Sequence, residues 1–251
     1  MQSNWQKKFY EKQFDFINDH TYNDSLFYQQ EAEAIQEQIG KQYETVLELG
    51  AGYGKLANAI AALDKNVTTI ELADKIVKYA LQEAHPNVKA ICADFYTIRL
   101  NKKFDVVLYI DGFGVGSEQD QVHILKRIYD WLDINGIALI DIYQPLYWNK
   151  VNGIEIQPTS DPTVRRQYGY NKDTQSMTDT WWSVEDAEDK YTQILACYTP
   201  EQIEILCQKA GLQIVGYFPG GAMDYNTWTY QEVASLENCL SYRIKVKRND
   251  I

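Results

Sequence analysis

The chain has 251 residues, 45% of them hydrophobic and 13% aromatic, with 19 tyrosines; this excludes a disordered chain and supplies the core of one α/β domain with a modest insertion. A formal net charge of -11 disfavours nucleic acid and anionic membrane surfaces as partners, because they carry the same sign. The opening MQSNWQKKFYEKQFDF lacks a signal-type apolar core, no segment has the apolar length of a membrane span, and Cys92, Cys197, Cys207 and Cys239 are scattered, so a cytoplasmic protein without a structural metal is expected.

Taken in chain order, residues 1–40 read as an N-terminal helical arm. Trp5, Phe9, Tyr10, Phe14 and Phe16 fall at helix-compatible positions, and SLFYQQEAEAIQEQIG forms a second helix closed by Gly40. Strand and helix patterns then alternate: ETVLELG, GKLANAIAAL, NVTTIEL, ADKIVKYALQEA, NVKAICAD, KFDVVLYID, SEQDQVHILKRIYDWL and GIALIDIY. Such alternation predicts a doubly wound, mostly parallel sheet with helices on both faces. Between residues 144 and 198 the pattern changes to three β-rich runs, TVRRQYGY, SMTDTWWS and YTQILACY, separated by the polar turns NKDTQ and VEDAEDK; these predict a small inserted antiparallel sheet. The core resumes over 199–251. Thr199, Pro200, Gln202 and Gly211 mark the start and stop of the helix TPEQIEILCQKAG, and LQIVGYFP and LSYRIKVKR bring the core strands to seven, with residues 221–239 unplaced.

The stretch VLELGAGYG ends the first strand in a loop with Gly50, Gly52 and Gly54, which opens the next helix. In an open parallel sheet, ligands bind at this edge, outside the carboxyl ends of the strands. Glu71 ends the second strand, at the interval from Gly50 where an acid can accept hydrogen bonds from ribose hydroxyls, and Asp94 ends the third. The GxGxG spacing departs from the GxGxxG of a dinucleotide pyrophosphate site, which disfavours a nicotinamide dehydrogenase.

In order and spacing, VLELGAGYGKLA, TTIEL, CADF, FDVVLYIDGFG and LKRIYDWLDINGIALID resemble the class I S-adenosylmethionine-dependent methyltransferases, closely over residues 44–143 and more loosely in the Thr199 helix and last two strands. The resemblance implies a Rossmann-like fold and S-adenosylmethionine as cofactor, with S-adenosylhomocysteine as product. Gly50, Ala51, Gly52 and Gly54 would pass beneath the methionine part, with Glu48 ordering the loop. Glu71, beside Leu72, would hold the ribose; Asp94 would accept from the adenine amino group next to the Phe95 backbone. The backbone at Ile110 and Asp111 would meet the methionine ammonium. Asn135-Gly136 stands where many members have a Pro-Gly-Gly turn.

The expected activity is methyl transfer to the nitrogen or oxygen of a small molecule, beneath a lid made from the arm and the inserted sheet. A protein or RNA methyltransferase and a non-catalytic cofactor-binding regulator are the alternatives; a basic groove would favour the first, and RIKVKR is the basic run. Aromatic residues Tyr10, Tyr143, Trp148, Trp181 and Trp182 are candidates for the acceptor site, with Trp181 and Trp182 facing opposite sides of their strand. No catalytic residue is assigned firmly: Asp111 is the weak candidate, and His20, His85 and His123 lack the context of a general base. Without a histidine to deprotonate an amine, a neutral nitrogen or oxygen on a planar ring is the favoured acceptor. The oligomeric state is not legible.

Overall fold

The computed structural model describes residues 5–18 and 25–249, so His20 and the arm's residues 1–4 and 19–24 lie outside the described residues. The arm contributes α1 (Trp5–Asn18) and α2 (Ser25–Ile39). The core then alternates β1 (Thr45–Leu49), α3 (Lys55–Ala61), β2 (Asn66–Glu71), α4 (Asp74–Ala80), β3 (Val88–Cys92), β4 (Phe104–Tyr109), α5 (Glu118–Trp131) and β5 (Leu132–Tyr143). Strands β1 and β4, rich in apolar residues, are buried on both faces and occupy the centre of the sheet. Beyond the insertion, α7 (Pro200–Lys209) is capped by reciprocal bonds between Thr199 and Gln202, and it leads into the core strand β10 (Leu212–Pro219). The chain ends on β13 (Ser241–Arg248), giving the seven-stranded order β10-β13-β5-β4-β1-β2-β3. β13 runs antiparallel to both of its neighbours, and β3, β2, β1, β4 and β5 pair in parallel.

Both faces of the sheet are covered. Ile124, Leu125 and Ile128 of α5 pack with Ile203 and Leu206 of α7 on one side, and Ile35 and Ile39 of α2 pack with Leu56 and Ile60 of α3 on the other. Two cations of the basic run in β13 are spent inside this framework. Arg243 holds Asp141 through two bonds (2.7 and 3.1 Å) and Glu31 of α2 through a third (2.7 Å), while Lys245 donates to the Ile39 carbonyl at 2.9 Å.

The insertion is more elaborate than its three β-rich runs predict. A short helix, α6 (Pro145–Lys150), precedes a four-stranded antiparallel sheet of β6 (Glu155–Ile156), β7 (Val164–Asn171), β8 (Ser176–Ser183) and β9 (Asp186–Ala196). The acidic stretch expected as a turn is instead the start of β9, since Ser183 already pairs with Asp186. This segment is an exposed edge, where charge prevents pairing with another chain. Residues 221–239 contain the small hairpin β11 (Ala222–Asp224) and β12 (Thr229–Gln231). Asn135-Gly136 lies in an irregularity of β5: Phe104 pairs with Leu132 but Val106 with Ile137, so extra residues bulge out instead of forming a separate turn.

The arm and the inserted sheet meet above the carboxyl edge of the core. Phe9 and Phe16 of α1 pack with Val164 and Trp181, while Phe14 sits against Ala73, Ile76, Tyr53 and Tyr79. The insertion is stitched to the core where it returns: the Ala196 amide donates to the Gly114 carbonyl at 2.9 Å and the Tyr198 amide to the Tyr143 carbonyl at 3.1 Å. Gly114 has φ of 117°, and a Cβ there would stand 2.5 Å from the Ala196 oxygen. Gly114→Ala is therefore expected to lower stability by about 2–4 kcal/mol through combined strain and overlap. Gly153→Ala, at φ of 86° with open space around it, should lose about 1–2 kcal/mol from backbone strain alone. Denaturant unfolding compares the two; equal losses would show that the Gly114 junction is not tight.

Candidate active site

A cavity of about 580 Å³ opens along the carboxyl ends of β1, β2 and β4, with α1 as its cover. Gly50, Ala51 and Gly52 form part of its floor. All three loop glycines adopt left-handed backbone, with φ of 67°, 50° and 71° at Gly50, Gly52 and Gly54. A Cβ at Gly50 or Gly52 would meet nothing within 4 Å, so the loop leaves open space beside a bare backbone that a ligand can approach. Gly54 is instead the N-cap of α3, under the Ala80 side chain and outside the cavity lining.

Three carboxylates follow at successive strand ends. Glu48 of β1 is buried, lines the cavity, and has an Oε2 with no hydrogen-bond partner. Desolvation, assisted by the nearby Glu71 charge, raises its pKa to about 8. Glu71 is also buried, but its oxygens are occupied on one side by backbone: Oε2 accepts from the Gly52 amide at 3.1 Å and Oε1 from the Ala73 amide at 2.9 Å. Burial still holds its pKa above the usual carboxylate range, with those two amides opposing the shift. Asp94 accepts from the Tyr96 amide at 2.7 Å, which turns the chain so that Phe95 and Tyr96 face the cavity. Leu72 and Ile110 complete the wall at the ends of β2 and β4.

At the other end stands Asp111, a non-glycine residue at φ of 54°. Two tyrosines over-determine its turn. Tyr109 donates to the Gly112 carbonyl at 2.7 Å, and Tyr143 donates to the Asp111 carboxylate. The carboxyl is open to the cavity yet surrounded by protein, and desolvation raises its pKa to about 6 against the lowering effect of the Tyr143 bond. Above it the inserted sheet presents Arg166 and Asp179 on one face, joined by two bonds of 2.8 Å. The Arg166 guanidinium lies 4.7 Å from the Tyr168 ring centre and 5.0 Å from that of Trp181.

The structure thus gathers Glu48, Gly50, Ala51, Gly52, Glu71, Leu72, Asp94, Phe95, Ile110, Asp111 and Tyr10 around one space. Tyr143 lies just behind, through Asp111, and Trp148 one ring further, 5.4 Å from Tyr143 edge to face. Trp181 and Trp182 are both outside the lining. Trp181 is buried between Arg166 and Phe16, and Trp182 is covered on the opposite face by Lys190, 4.2 Å from its ring centre. Trp5, Gln6 and Gln13 of the arm, which the sequence reading passed over, join Tyr10 in the lining. Their signal was the i, i+4, i+7 spacing of Gln6, Tyr10 and Gln13. Arg166 and Asp179 were missed as well; alternation puts them on the faces of Tyr168 and Trp181, but only strand register makes them neighbours.

Residues 46–136 match the family described as a methyltransferase domain. The match runs from β1 into β5 and takes in the glycine loop, Glu71, Asp94 and Asp111. A 67-residue stretch is 36% identical to the 235L protein of Invertebrate iridescent virus 6, which is named as a methyltransferase; the match covers 26% of this chain and 25% of that protein. Among solved structures, the CcbJ methyltransferase of Streptomyces caelestis is similar with a TM-score of 0.75 and 16% identity over 96% of this chain and 98% of its own. CalS10 of Micromonospora echinaspora, an amino pentose methyltransferase bound to S-adenosylmethionine, gives 0.61 and 17% identity over 88% and 91% of the two chains. At these identities the shared feature is the methyltransferase fold, with its seven-stranded sheet.

Glu48 gives the family core a measurable pH signature. In the folded chain its carboxyl keeps a proton to about pH 8, against an ordinary value of 4.5. The native state then binds the extra proton within that window, so this group's contribution to stability is present at low pH and is lost as pH rises from 4.5 toward 8. Glu48→Gln should remove that part of the decline in ligand-free protein, read as a flatter plot of unfolding free energy against pH. A plot of unchanged slope would place the proton elsewhere.

Proposed function

We propose that this protein transfers the sulfonium methyl of S-adenosylmethionine to a nitrogen or oxygen atom of a small molecule. The observation that carries the reading is the buried, unpartnered Glu48 oxygen in the same cavity as the bare glycine backbone and the strand-end acids Glu71 and Asp94. A buried polar atom without a partner is costly, and a ligand bearing a donor removes the cost. The cofactor has complementary groups: an ammonium for the Glu48 end, ribose hydroxyls for the lone pairs of Glu71 left open by backbone, and an adenine amino group for Asp94. When bound it supplies a methyl group that is already activated, so the protein's task is to hold the acceptor in line and exclude water.

Two features support a small acceptor over a macromolecule. The arm covers part of the cavity with Trp5, Gln6, Tyr10 and Gln13, leaving a space of about 580 Å³. The basic run of β13, which would favour RNA, is engaged internally at Arg243 and Lys245. The named acceptor class of the fold relative CalS10, an amino pentose, is compatible with this size.

Glu71→Ala should weaken S-adenosylmethionine binding by roughly 1.5–3 kcal/mol, the range for hydrogen bonds to a charged group. Calorimetry on the folded variant measures this directly. Affinity equal to that of the parent protein would remove Glu71 from the cofactor site and, with it, the proposed placement of the ribose.

A further inference from the structure

We infer that the acceptor is a compact amine, which enters as an ammonium ion against Asp111 and gives a proton to that carboxylate before the new C–N bond forms. This rests on the methyl-transfer reading above and identifies the substrate class at the same site. It reverses the preference for a neutral ring nucleophile, which followed from finding no histidine to take the proton. Asp111 takes that role.

The argument begins with charge. Each other acid that acts on the Asp111 carboxyl has its own cation: Asp179 is held by Arg166 and Asp141 by Arg243. Among the described residues Asp111 makes no ion pair, and its carboxylate is held by the neutral Tyr143 hydroxyl. The one cation that acts on it, Arg166, is already matched by two bonds to Asp179. From α1, Tyr10 adds a neutral phenol whose ionisation is suppressed by burial and by the charges of Glu71, Asp111 and Asp179. The acceptor end therefore has one uncompensated negative charge facing an open space, which favours a cation and repels a carboxylate.

Geometry adds a second reason. A non-glycine residue in left-handed backbone costs free energy, and this turn is kept there by the Tyr109 and Tyr143 hydroxyls. The residue held in this way lines the cavity and stays solvent-accessible. The size limit follows from volume: about 580 Å³ must hold both molecules, and a pocket for a single drug-sized ligand ordinarily measures roughly 300–1,000 Å³. An acceptor of about one ring remains.

The step balances without an oxidant or a further reactant. The ammonium proton passes to the Asp111 carboxylate, freeing the nitrogen lone pair. That pair forms the N–CH3 bond while the electrons of the S–CH3 bond return to sulfur, and the methylated nitrogen is again cationic. Asp111 then loses its proton to solvent. A carboxyl whose pKa lies near 6 exchanges protons readily at neutral pH.

The test uses the full chain loaded with S-adenosylhomocysteine, which occupies the cofactor site without reacting. Matched trios of single-ring amine, alcohol and carboxylate, identical apart from that group, are screened by saturation-transfer NMR against the parent protein and Asp111→Asn. Asparagine tolerates left-handed backbone, so this variant keeps the turn. Expected are hits drawn from the amines, lost in Asp111→Asn while S-adenosylhomocysteine affinity stays within about twofold by calorimetry. Amine binding to the parent should weaken as pH falls through about 6, where Asp111 takes up a proton. Each amine hit should also gain one methyl group with S-adenosylmethionine, followed by mass spectrometry. Absence of any amine hit, a majority of alcohols or carboxylates, or amine binding that survives in Asp111→Asn overturns the inference. Failure of the parent protein to bind S-adenosylhomocysteine would instead overturn the methyl-transfer reading itself.

Discussion

Two turns from different strands must stay in fixed relation for the cavity to exist, and one buried carboxylate binds them together. Glu71 accepts from Gly52 in the turn after β1 and from Ala73 at the entry to α4. The parallel ladder reinforces the arrangement, because the Gly50 amide reaches across to the Ile70 carbonyl at 2.8 Å. Left-handed backbone at Gly50 and Gly52 follows from this geometry: the chain has to turn sharply away from the sheet while keeping its amides directed at the neighbouring strand. Burying a carboxylate is unfavourable in itself. Here the amides offset that cost on one side and leave lone pairs for a ligand on the other, so the fold and the ligand site use the same residue.

A second layer of organisation is electrostatic. Arg243 ties Asp141 of β5 to Glu31 of α2, which holds the arm's second helix against the sheet edge. Arg166 ties β7 to Asp179 of β8 and stacks between Tyr168 and Trp181, stiffening the face of the insertion that looks down on the core. Both cations make their ion pairs elsewhere, and among the described residues Asp111 has none. Pairing elsewhere thus isolates one carboxyl at the end of β4. Buried ion pairs of this kind add little net stability; their effect is to fix which charge remains available at the acceptor end.

The arm matters because one helix, α1, reaches the glycine loop, the cavity wall and the insertion from different faces. Phe14 packs against Tyr53 of the glycine loop and Tyr79 of α4, with ring centres 5.4 and 5.1 Å away, while Phe16 stacks on Trp181 of the insertion at 6.3 Å. Tyr10 lies between them, in the cavity wall. Lys7 and Lys75 add ion pairs to Asp74 and Asp15 across the α1–α4 contact. Glycine loop, cavity wall and inserted sheet are therefore coupled through one amphipathic helix.

Local rules were sufficient for the sheet. Short apolar-rich runs between helix patterns predict buried parallel strands, the Thr199–Gln202 pair predicts a helix start, and Glu71 stands at a fixed interval from the glycine loop whatever the rest of the chain does. Those features depend on neighbours along the chain, so the sequence by itself determined the fold class and which strand ends meet at the cavity. The acceptor end obeyed no local rule. Trp181 and Trp182 were aromatic in the right region, yet packing against Phe16 and Lys190 took both away from the cavity, whose lining instead draws Trp5, Gln6, Tyr10 and Gln13 from the arm and Asp111 from the end of β4. Whether Asp111 is a solvated loop acid or a proton acceptor depends on who neutralises Asp141 and Asp179, and those partners lie 102 and 13 residues away along the chain. Charge compensation acts through space, at distances where sequence separation has no meaning, and only the tertiary structure decides it.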